Sequence, residues 1–228
     1  MVSDKIKIID YQSNNANNDF VDSLKNSGFA VLYNHQIDID LINTVYKEWK
    51  DFFHSKEKFN YLFDFEKQDG YFPMKSENAK NCPIKDIKEF YHIYIPWGRI
   101  PDGLKENTLK IRSELKEVGL ILLKWIDDLT PVDVKKNFSI PLQDMISGSE
   151  SNLLRIIHYP PLREEDDKDA IRAAAHEDIN LITLLVAGTG PGLEARDKDG
   201  TWHKIETDPG TIIINILFTI RCSSRFIY

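Results

Sequence analysis

The eleven residues from His176 to Val186 read HEDINLITLLV, in which two potential metal-binding side chains precede an apolar run. Residues i and i+2 of an extended backbone point to the same side, so His176 and Asp178 can reach one metal ion while Glu177 points away. Together with one further histidine they would form the two-His-one-carboxylate face that holds Fe(II) with open positions. The stretch therefore predicts a strand end that carries a candidate metal site.

A His-x-Asp triplet alone is weak evidence, because a His and an Asp at a turn are more often local hydrogen-bonding partners. The remaining five histidines do not provide an obvious third ligand. Only His203 lies C-terminal to the pair, and it falls in a short hairpin strand. We expect the other four histidines to have structural roles. His35 is predicted at a turn, His54 at a helix end, and His92 and His158 packed within strands.

The first half of the chain is predicted to be mainly helical. Apolar residues at helical spacing indicate helices over Asp19–Ser27, Asp40–His54 and Leu104–Leu129. A compact apolar run predicts a buried strand at Phe29–Tyr33. The segment Glu66–Lys85 is rich in Asn, Asp, Gly and Pro and is predicted to be a loop, followed by an extended aromatic stretch over Asp86–Pro96.

From residue 151 the pattern changes to short strands separated by turns. Asp199-Gly200 between two of them predicts a hairpin. The predicted strands are Asn152–Tyr159, Leu181–Val186, Leu193–Arg196, Thr201–Ile205 and Thr211–Ile216. Helices followed by closely spaced strands favour an α+β, mainly β fold, in which an N-terminal helical layer wraps a sandwich or barrel.

Composition excludes several classes of protein. The 228 residues carry a formal net charge of -7 and show no basic run, which argues against nucleic-acid binding. No window approaches the length of uninterrupted apolar sequence that a membrane helix needs, and no secretory signal is visible. Two cysteines, Cys82 and Cys222, cannot make a disulfide framework. We therefore expect a cytoplasmic protein without a nucleic-acid or membrane partner.

Several ordered motifs resemble the isopenicillin-N-synthase-like family of Fe(II)/2-oxoglutarate-dependent oxygenases, and the similarity extends from about residue 5 to residue 216. The stretches that carry it read SGFAVLYNH (27–35), KEFYHI (88–93), LRIIHYPP (154–161), RAAAHEDINLITLL (172–185), GLE (192–194), DGTW (199–202) and DPGTIIIN (208–215). Several motifs in this order are more specific than the metal triplet alone.

The resemblance implies a double-stranded β-helix (jelly roll) with Fe(II) near one open end. His176 and Asp178 match the first two iron ligands of the family. Tyr159 matches a tyrosine that lines the co-substrate site in many members, although it could equally be a packed aromatic residue at a strand end. Arg155 and Arg172 could each meet an anionic group or lie on the surface.

The implied reaction uses O2 and 2-oxoglutarate to oxidise a small-molecule substrate, although some relatives dispense with 2-oxoglutarate. Residues 1–135 would form the N-terminal helical and strand region. Residues 136–228 would form an incomplete jelly-roll core within the same integrated unit.

The sequence departs from the family after Ile216. There the family continues with a Gly-Asp pair, the distal histidine ligand and an Arg-x-Ser that binds 2-oxoglutarate. Arg221-Cys222-Ser223 has those letters but comes too early, so we interpret it as coincidence. We expect the last core strands to be missing, through a different reading frame or a premature end, which sequencing of the gene beyond the Ile216 codon would test.

Two consequences follow from that expectation. Unpaired strand edges would favour self-association. The alternative function is a truncated, catalytically silent remnant that acts as a binding or interaction module.

Overall fold

The computed structural model describes residues 6–76, 86–161, 172–177, 180–197, 199–206, 208, 210–216 and 219–222, with the backbone alone for 174–177 and 219–222. The chain forms two compact units, each assembled from three separate segments. Unit 1 comprises Met1–Ile39, Ser113–Ser149 and Glu177–Ile220. Unit 2 comprises Asp40–Arg112, Glu150–His176 and Arg221–Tyr228.

Helices dominate the first half of the chain and strands the second half, as predicted. The α-helices are α1 (Ala16–Ser27), α2 (Ile39–His54), α3 (Lys105–Leu129), α4 (Val132–Lys135) and α5 (Asp144–Ser147). The strands are β1 (Ile8–Asp10), β2 (Phe29–Tyr33), β3 (Gly70–Phe72), β4 (Glu89–Ile93), β5 (Leu154–His158), β6 (Ala173–Glu177), β7 (Thr183–Val186), β8 (Leu193–Arg196), β9 (Trp202–Lys204), β10 (Ile212–Asn215) and β11 (Thr219–Cys222).

Unit 1 is built on a four-stranded sheet in the order β1-β2-β10-β7. Strand β2 is parallel to β1 and antiparallel to β10, which is in turn antiparallel to β7. Strands β8 and β9 are antiparallel neighbours in a second four-stranded sheet, whose order is β6-β11-β8-β9, so the predicted Asp199-Gly200 hairpin is confirmed. One apolar cluster joins both sets of strands: Ile6, Phe29, Val31, Ala187, Ala195, Ile205 and Ile213.

Helix α1 packs against β2 and begins three residues earlier than its sequence pattern predicts. It ends at Gly28, whose φ of 82° lies in the left-handed region and whose N–H donates to the carbonyl of Leu24. On the same unit, Trp125 of α3 contacts the rings of Tyr11 and Phe20. These contacts attach the helical layer to the sheet of unit 1.

Unit 2 contains an antiparallel sheet in the order β3-β4-β5. Strand β3 lies within the segment that the sequence predicts to be a loop, so that prediction is wrong for Gly70–Phe72. A three-residue strand flanked by turn residues carries too little periodicity to detect, and its pairing with β4 stabilises it. The remainder of that loop prediction, over residues 77–85, lies outside the described residues.

The short helices α4 and α5 and strand β11 were not predicted. Helices of four residues are too short for a hydrophobic period to stand out. The predicted behaviour of the chain after Cys222 lies outside the described residues. Within the described ranges, no helix has both the length and the apolarity that crossing a membrane requires.

Candidate active site

The predicted metal-binding stretch begins on a strand, as expected. His176 is the fourth residue of β6, and the strand ends at Glu177. The side chain of His176 and the whole of Asp178 lie outside the described residues, so the shared-metal geometry stays a prediction. In the part of the chain that the structure describes, no three His, Cys, Asp or Glu side chains group as metal ligands.

Tyr159 follows β5 directly, at the strand end where the sequence places it. Strand β5 pairs with β4 from Glu89 opposite His158 to Ile93 opposite Leu154. Side chains alternate along a strand, so Arg155 and Tyr159 are expected on one face of the sheet and His158 on the other. The two faces of this sheet carry different polar groups.

The inner face, which packs against α2, holds a buried carboxylate. Glu89 Oε2 accepts hydrogen bonds from Lys58 Nζ at 2.8 Å and from the Tyr71 hydroxyl at 2.5 Å. Its Oε1 lies 2.8 Å from Nδ1 of His158. Burial alone would raise the pKa of Glu89, but the hydrogen bonds from His158, Lys58 and Tyr71 outweigh it and lower the pKa to about 2. Glu89 is therefore a charged group with three partners.

His158 is packed, as predicted. Its ring stacks on Phe53 with a centroid distance of 5.5 Å and meets the edge of the His54 ring at 5.2 Å. The role of Glu89 was missed, because its partners Lys58 and Tyr71 come from segments distant in sequence. The one sequence signal was a charged residue at the start of the aromatic run EFYHIY.

The opposite face of the same sheet carries Phe72, Phe90, His92 and Arg155, which we call the arginine face. Arg155 Nε donates to His92 Nε2 at 2.8 Å, and its guanidinium carbon lies 4.8 Å from the centre of the Phe90 ring. The Phe72 and Phe90 rings stack at 4.3 Å. His92, which was predicted to be packed, is buried and also accepts this hydrogen bond from Arg155, whose role the sequence left open.

Burial, together with the nearby Arg155 cation, lowers the pKa of His92 to about 3. The imidazole is therefore neutral, and Nε2 acts as an acceptor.

His203 is held within its hairpin in unit 1. Its Nε2 lies 2.9 Å from the buried Oδ2 of Asp197. The other oxygen of Asp197 accepts the backbone N–H groups of Asp199 and Thr201 across the turn. This contact engages one ring nitrogen of His203 within the hairpin.

Comparison with known proteins defines the class. Residues 6–119 match the N-terminal domain family described as non-haem dioxygenase in morphine synthesis. Residues 150–218 match the 2OG-Fe(II) oxygenase superfamily. The chain belongs to this superfamily of Fe(II)- and 2-oxoglutarate-dependent dioxygenases, which confirms the predicted family, cofactors and oxygenase class.

Individual relatives agree with this assignment. A UPF0676 protein of Schizosaccharomyces pombe is 31% identical, over 95% of this chain and 72% of the relative. A solved candidate oxygenase from Shewanella oneidensis is 44% identical with a TM-score of 0.86, covering 96% of this chain and 83% of that one. A Neurospora crassa protein solved with alpha-KG is similar in fold, at 21% identity and a TM-score of 0.77, over 96% and 79% of the two chains.

The predicted jelly roll with an N-terminal helical layer is confirmed by these structures. Coverage of plant relatives is smaller. The match spans 33% of gibberellin 2-beta-dioxygenase 2 of Arabidopsis thaliana and 58% of flavonol synthase 1 of Crocosmia x crocosmiiflora.

Proposed function

We propose that this chain oxidises a small-molecule substrate with O2 and 2-oxoglutarate at an Fe(II) centre held by His176 and Asp178. The match of residues 150–218 to the 2OG-Fe(II) oxygenase superfamily carries the proposal, because that range contains the His-x-Asp pair. The position of His176 near the end of β6 supports it. An extended backbone there would direct both ligands to one side.

The chemistry of the donors fits the metal. An imidazole nitrogen and a carboxylate oxygen are two of the three protein ligands in Fe(II) oxygenases of this type. When bound, the iron supplies the oxidative chemistry, and the protein holds and orients the reactants. Tyr159, directly after β5, would contact the co-substrate.

An anaerobic Fe(II) titration followed by a succinate-release assay tests this proposal. His176→Ala and Asp178→Ala should each weaken Fe(II) binding at least ~10-fold and abolish succinate release, because each removes a ligand. Glu177→Ala is the matched control, since its side chain is expected on the opposite side of the strand, and it should behave like wild type. Equal loss in Glu177→Ala, or wild-type iron binding in both ligand variants, would contradict the assignment.

A second candidate is a catalytically silent binding module. The observation that favours it is that the other five histidine rings already make contacts elsewhere. His35 Nδ1 accepts the N–H of Ile37, His54 contacts His158, and the remaining partners are Glu89 for His158, Arg155 for His92 and Asp197 for His203. Wild-type protein that neither binds Fe(II) nor releases succinate would favour this candidate.

We also infer self-association through sheet edges. The sheet of unit 1 ends at β1 and β7, and edge strands present N–H and C=O groups that another chain can pair with. Ile8 on β1 is 53% exposed, which adds an apolar contact. Light scattering at increasing protein concentration should show a rising mass, and a constant monomer mass would contradict this inference.

Finally, we propose that the protein works in the cytoplasm. The two isolated cysteines, Cys82 and Cys222, support a reducing compartment. Cell fractionation with a specific antibody should recover the chain with cytoplasmic markers, and recovery in a secreted or organelle fraction would contradict the proposal.

A further inference from the structure

His158 and Tyr159 lie where strand β5 stops pairing with β4. The last registered pair of this ladder is Glu89 opposite His158, and Tyr159 follows directly. The ring of His158 packs on α2, and because side chains alternate along a strand, the ring of Tyr159 is expected on the opposite face. Pro160 comes next, and the residue before a proline is restricted to extended backbone conformations. The direction of the Tyr159 side chain therefore depends on the position of His158.

His158 is held by a hydrogen bond and by ring packing. Its Nδ1 lies 2.8 Å from Oε1 of Glu89, the residue directly across the ladder. Its ring stacks on Phe53 of α2 with a centroid distance of 5.5 Å and an angle of 16° between the ring planes. The stacking restrains the plane of the ring, and the hydrogen bond restrains its direction within that plane.

The acceptor of this hydrogen bond is itself fixed, because the two oxygens of Glu89 have separate partners. Oε2 accepts hydrogen bonds from Lys58 and Tyr71, and Oε1 accepts the one from His158. Burial opposes the charge of Glu89, but its hydrogen bonds lower the pKa to about 2. A charged carboxylate only accepts, so Nδ1 of His158 carries a proton and donates. A hydrogen bond to an ionised acceptor is stronger than one between neutral groups.

Packing alone does not account for a histidine at this position. The side chain of His158 is 16% exposed and that of Glu89 is 5% exposed, so the pair is largely desolvated. An apolar ring would stack on Phe53 without that cost. The hydrogen bond adds direction, which matters where the next residue has to meet a ligand in a defined geometry.

We propose that His158 is a positioning residue, which through its hydrogen bond to Glu89 directs the side chain of Tyr159 toward 2-oxoglutarate. This inference rests on the proposed function, in which Tyr159 contacts the co-substrate. A side chain that is restrained before the ligand arrives loses less conformational freedom on binding, so the restraint raises the affinity for 2-oxoglutarate. His158 packs on the other side of the sheet and acts on the co-substrate through Tyr159.

Two substitutions of His158 separate the hydrogen bond from the packing. His158→Phe keeps a ring that can stack on Phe53 but removes the donor. It should weaken 2-oxoglutarate binding ~10-fold in anaerobic calorimetry of the Fe(II)-loaded protein, because the restraint on Tyr159 is lost. His158→Asn places an amide N–H near the position of Nδ1 and should keep the affinity within about threefold of wild type. Equal loss in both variants would overturn the role of the hydrogen bond.

His54 provides the matched control. It is an exposed residue of α2 whose ring meets the same His158 ring at 5.2 Å, and in the described structure it makes no hydrogen bond to Glu89. His54→Phe should therefore bind 2-oxoglutarate like wild type. In the succinate-release assay, the loss in His158→Phe should appear in KM for 2-oxoglutarate rather than in kcat.

A double-mutant cycle shows whether the effect of His158 passes through Tyr159. Tyr159→Phe lacks the hydroxyl, so adding His158→Phe to it should change the affinity for 2-oxoglutarate less than about twofold. A loss of the same size in both backgrounds would assign His158 a general structural role and overturn the proposal. Wild-type affinity in the single variant His158→Phe would also overturn it.

A measurement on metal-free protein keeps this inference separate from the proposed function. The tyrosines are replaced by fluorotyrosine, and the fluorine NMR signal of Tyr159 is assigned by its absence from Tyr159→Phe. Relaxation should show a restrained Tyr159 ring in wild type and in His158→Asn, and a more mobile ring in His158→Phe. Equal mobility in the three proteins would overturn the positioning role. Failure of wild type to bind Fe(II) or to release succinate would count against the proposed function instead.

Discussion

The two faces of the β3-β4-β5 sheet bury titratable groups in opposite ways. On the inner face, Glu89 remains charged because Lys58, Tyr71 and His158 surround its carboxylate. On the opposite face, His92 is neutral because it is buried and a cation lies beside it. Strand β4 thus carries a charged group with three partners on one face and a neutral acceptor on the other. Glu89 makes hydrogen bonds that stabilise the unit, and His92 accepts a hydrogen bond from Arg155.

Removal of the Glu89 carboxylate should cause the largest loss of stability. Glu89→Ala leaves three buried or half-buried donors without their acceptor, so we expect a loss of roughly 3–5 kcal/mol in the free energy of unfolding. Urea denaturation followed by circular dichroism measures it. Asp51→Ala, which breaks the exposed pair with Lys47, is the control and should leave the free energy of unfolding nearly unchanged. A cost below about 1 kcal/mol for Glu89→Ala would contradict a stabilising inner face.

Lowering the pH should reduce the stability of the protein through His92 and through Glu89 in different pH ranges. The pKa of His92 is lowered from 6.5 to about 3 in the folded protein, so below pH 6.5 the unfolded chain binds a proton that the folded chain does not. Stability therefore falls from pH 6.5 toward 3. The pKa of Glu89 is lowered from 4.5 to about 2, so its contribution is present above pH 4.5 and is lost as the pH falls through about 2.

Urea titrations at pH 7, 6, 5 and 4 can separate these contributions. His92→Gln cannot titrate and should lose less stability than wild type between pH 6.5 and 4.5. Identical pH profiles for the two proteins would show that His92 has an ordinary pKa. The comparison at pH 7 controls for any packing change that the substitution causes.

A smaller loss of stability is expected from a substitution at Gly70, where the backbone is constrained. Gly70 has φ of 104°, and a Cβ there would lie 2.6 Å from the carbonyl oxygen of Tyr61. Gly70→Ala should therefore cost roughly 2 kcal/mol through strain at a φ that L residues avoid. Gly103→Ala is matched, since a Cβ at that position meets no atom within 4 Å, and it should be nearly neutral. Equal stability of the two variants in thermal unfolding would contradict this reading of β3.

Sequence alone predicted the elements that have strong local patterns. Helix α2 was predicted to within one residue of its observed bounds. Its pattern is strong because apolar residues recur along one side of the helix. Strand β2 was predicted at its observed bounds, because its five residues form one apolar run, of which the first four are buried. Helix α1 ends at Ser27, as its pattern predicts, and the left-handed φ of Gly28 follows directly.

Features that depend on distant partners were not predictable. Strand β3 is specified by its register with β4, in which Tyr71 lies opposite Tyr91. The contact between Arg155 and His92 joins two strands far apart in sequence, and no local pattern marks it. The boundary at 135/136 and the ligand pair His176 and Asp178 stay predictions.

The hydrogen bonds of Asp197 at the β8–β9 turn should make this hairpin fold quickly. Asp197 binds groups at Asp199, Thr201 and His203, so the hairpin closes a very short loop with little entropic cost. Strand β10, by contrast, must find β2 near the opposite end of the sequence. We expect the hairpin to form within microseconds and the pairing of β2 with β10 to limit the folding rate.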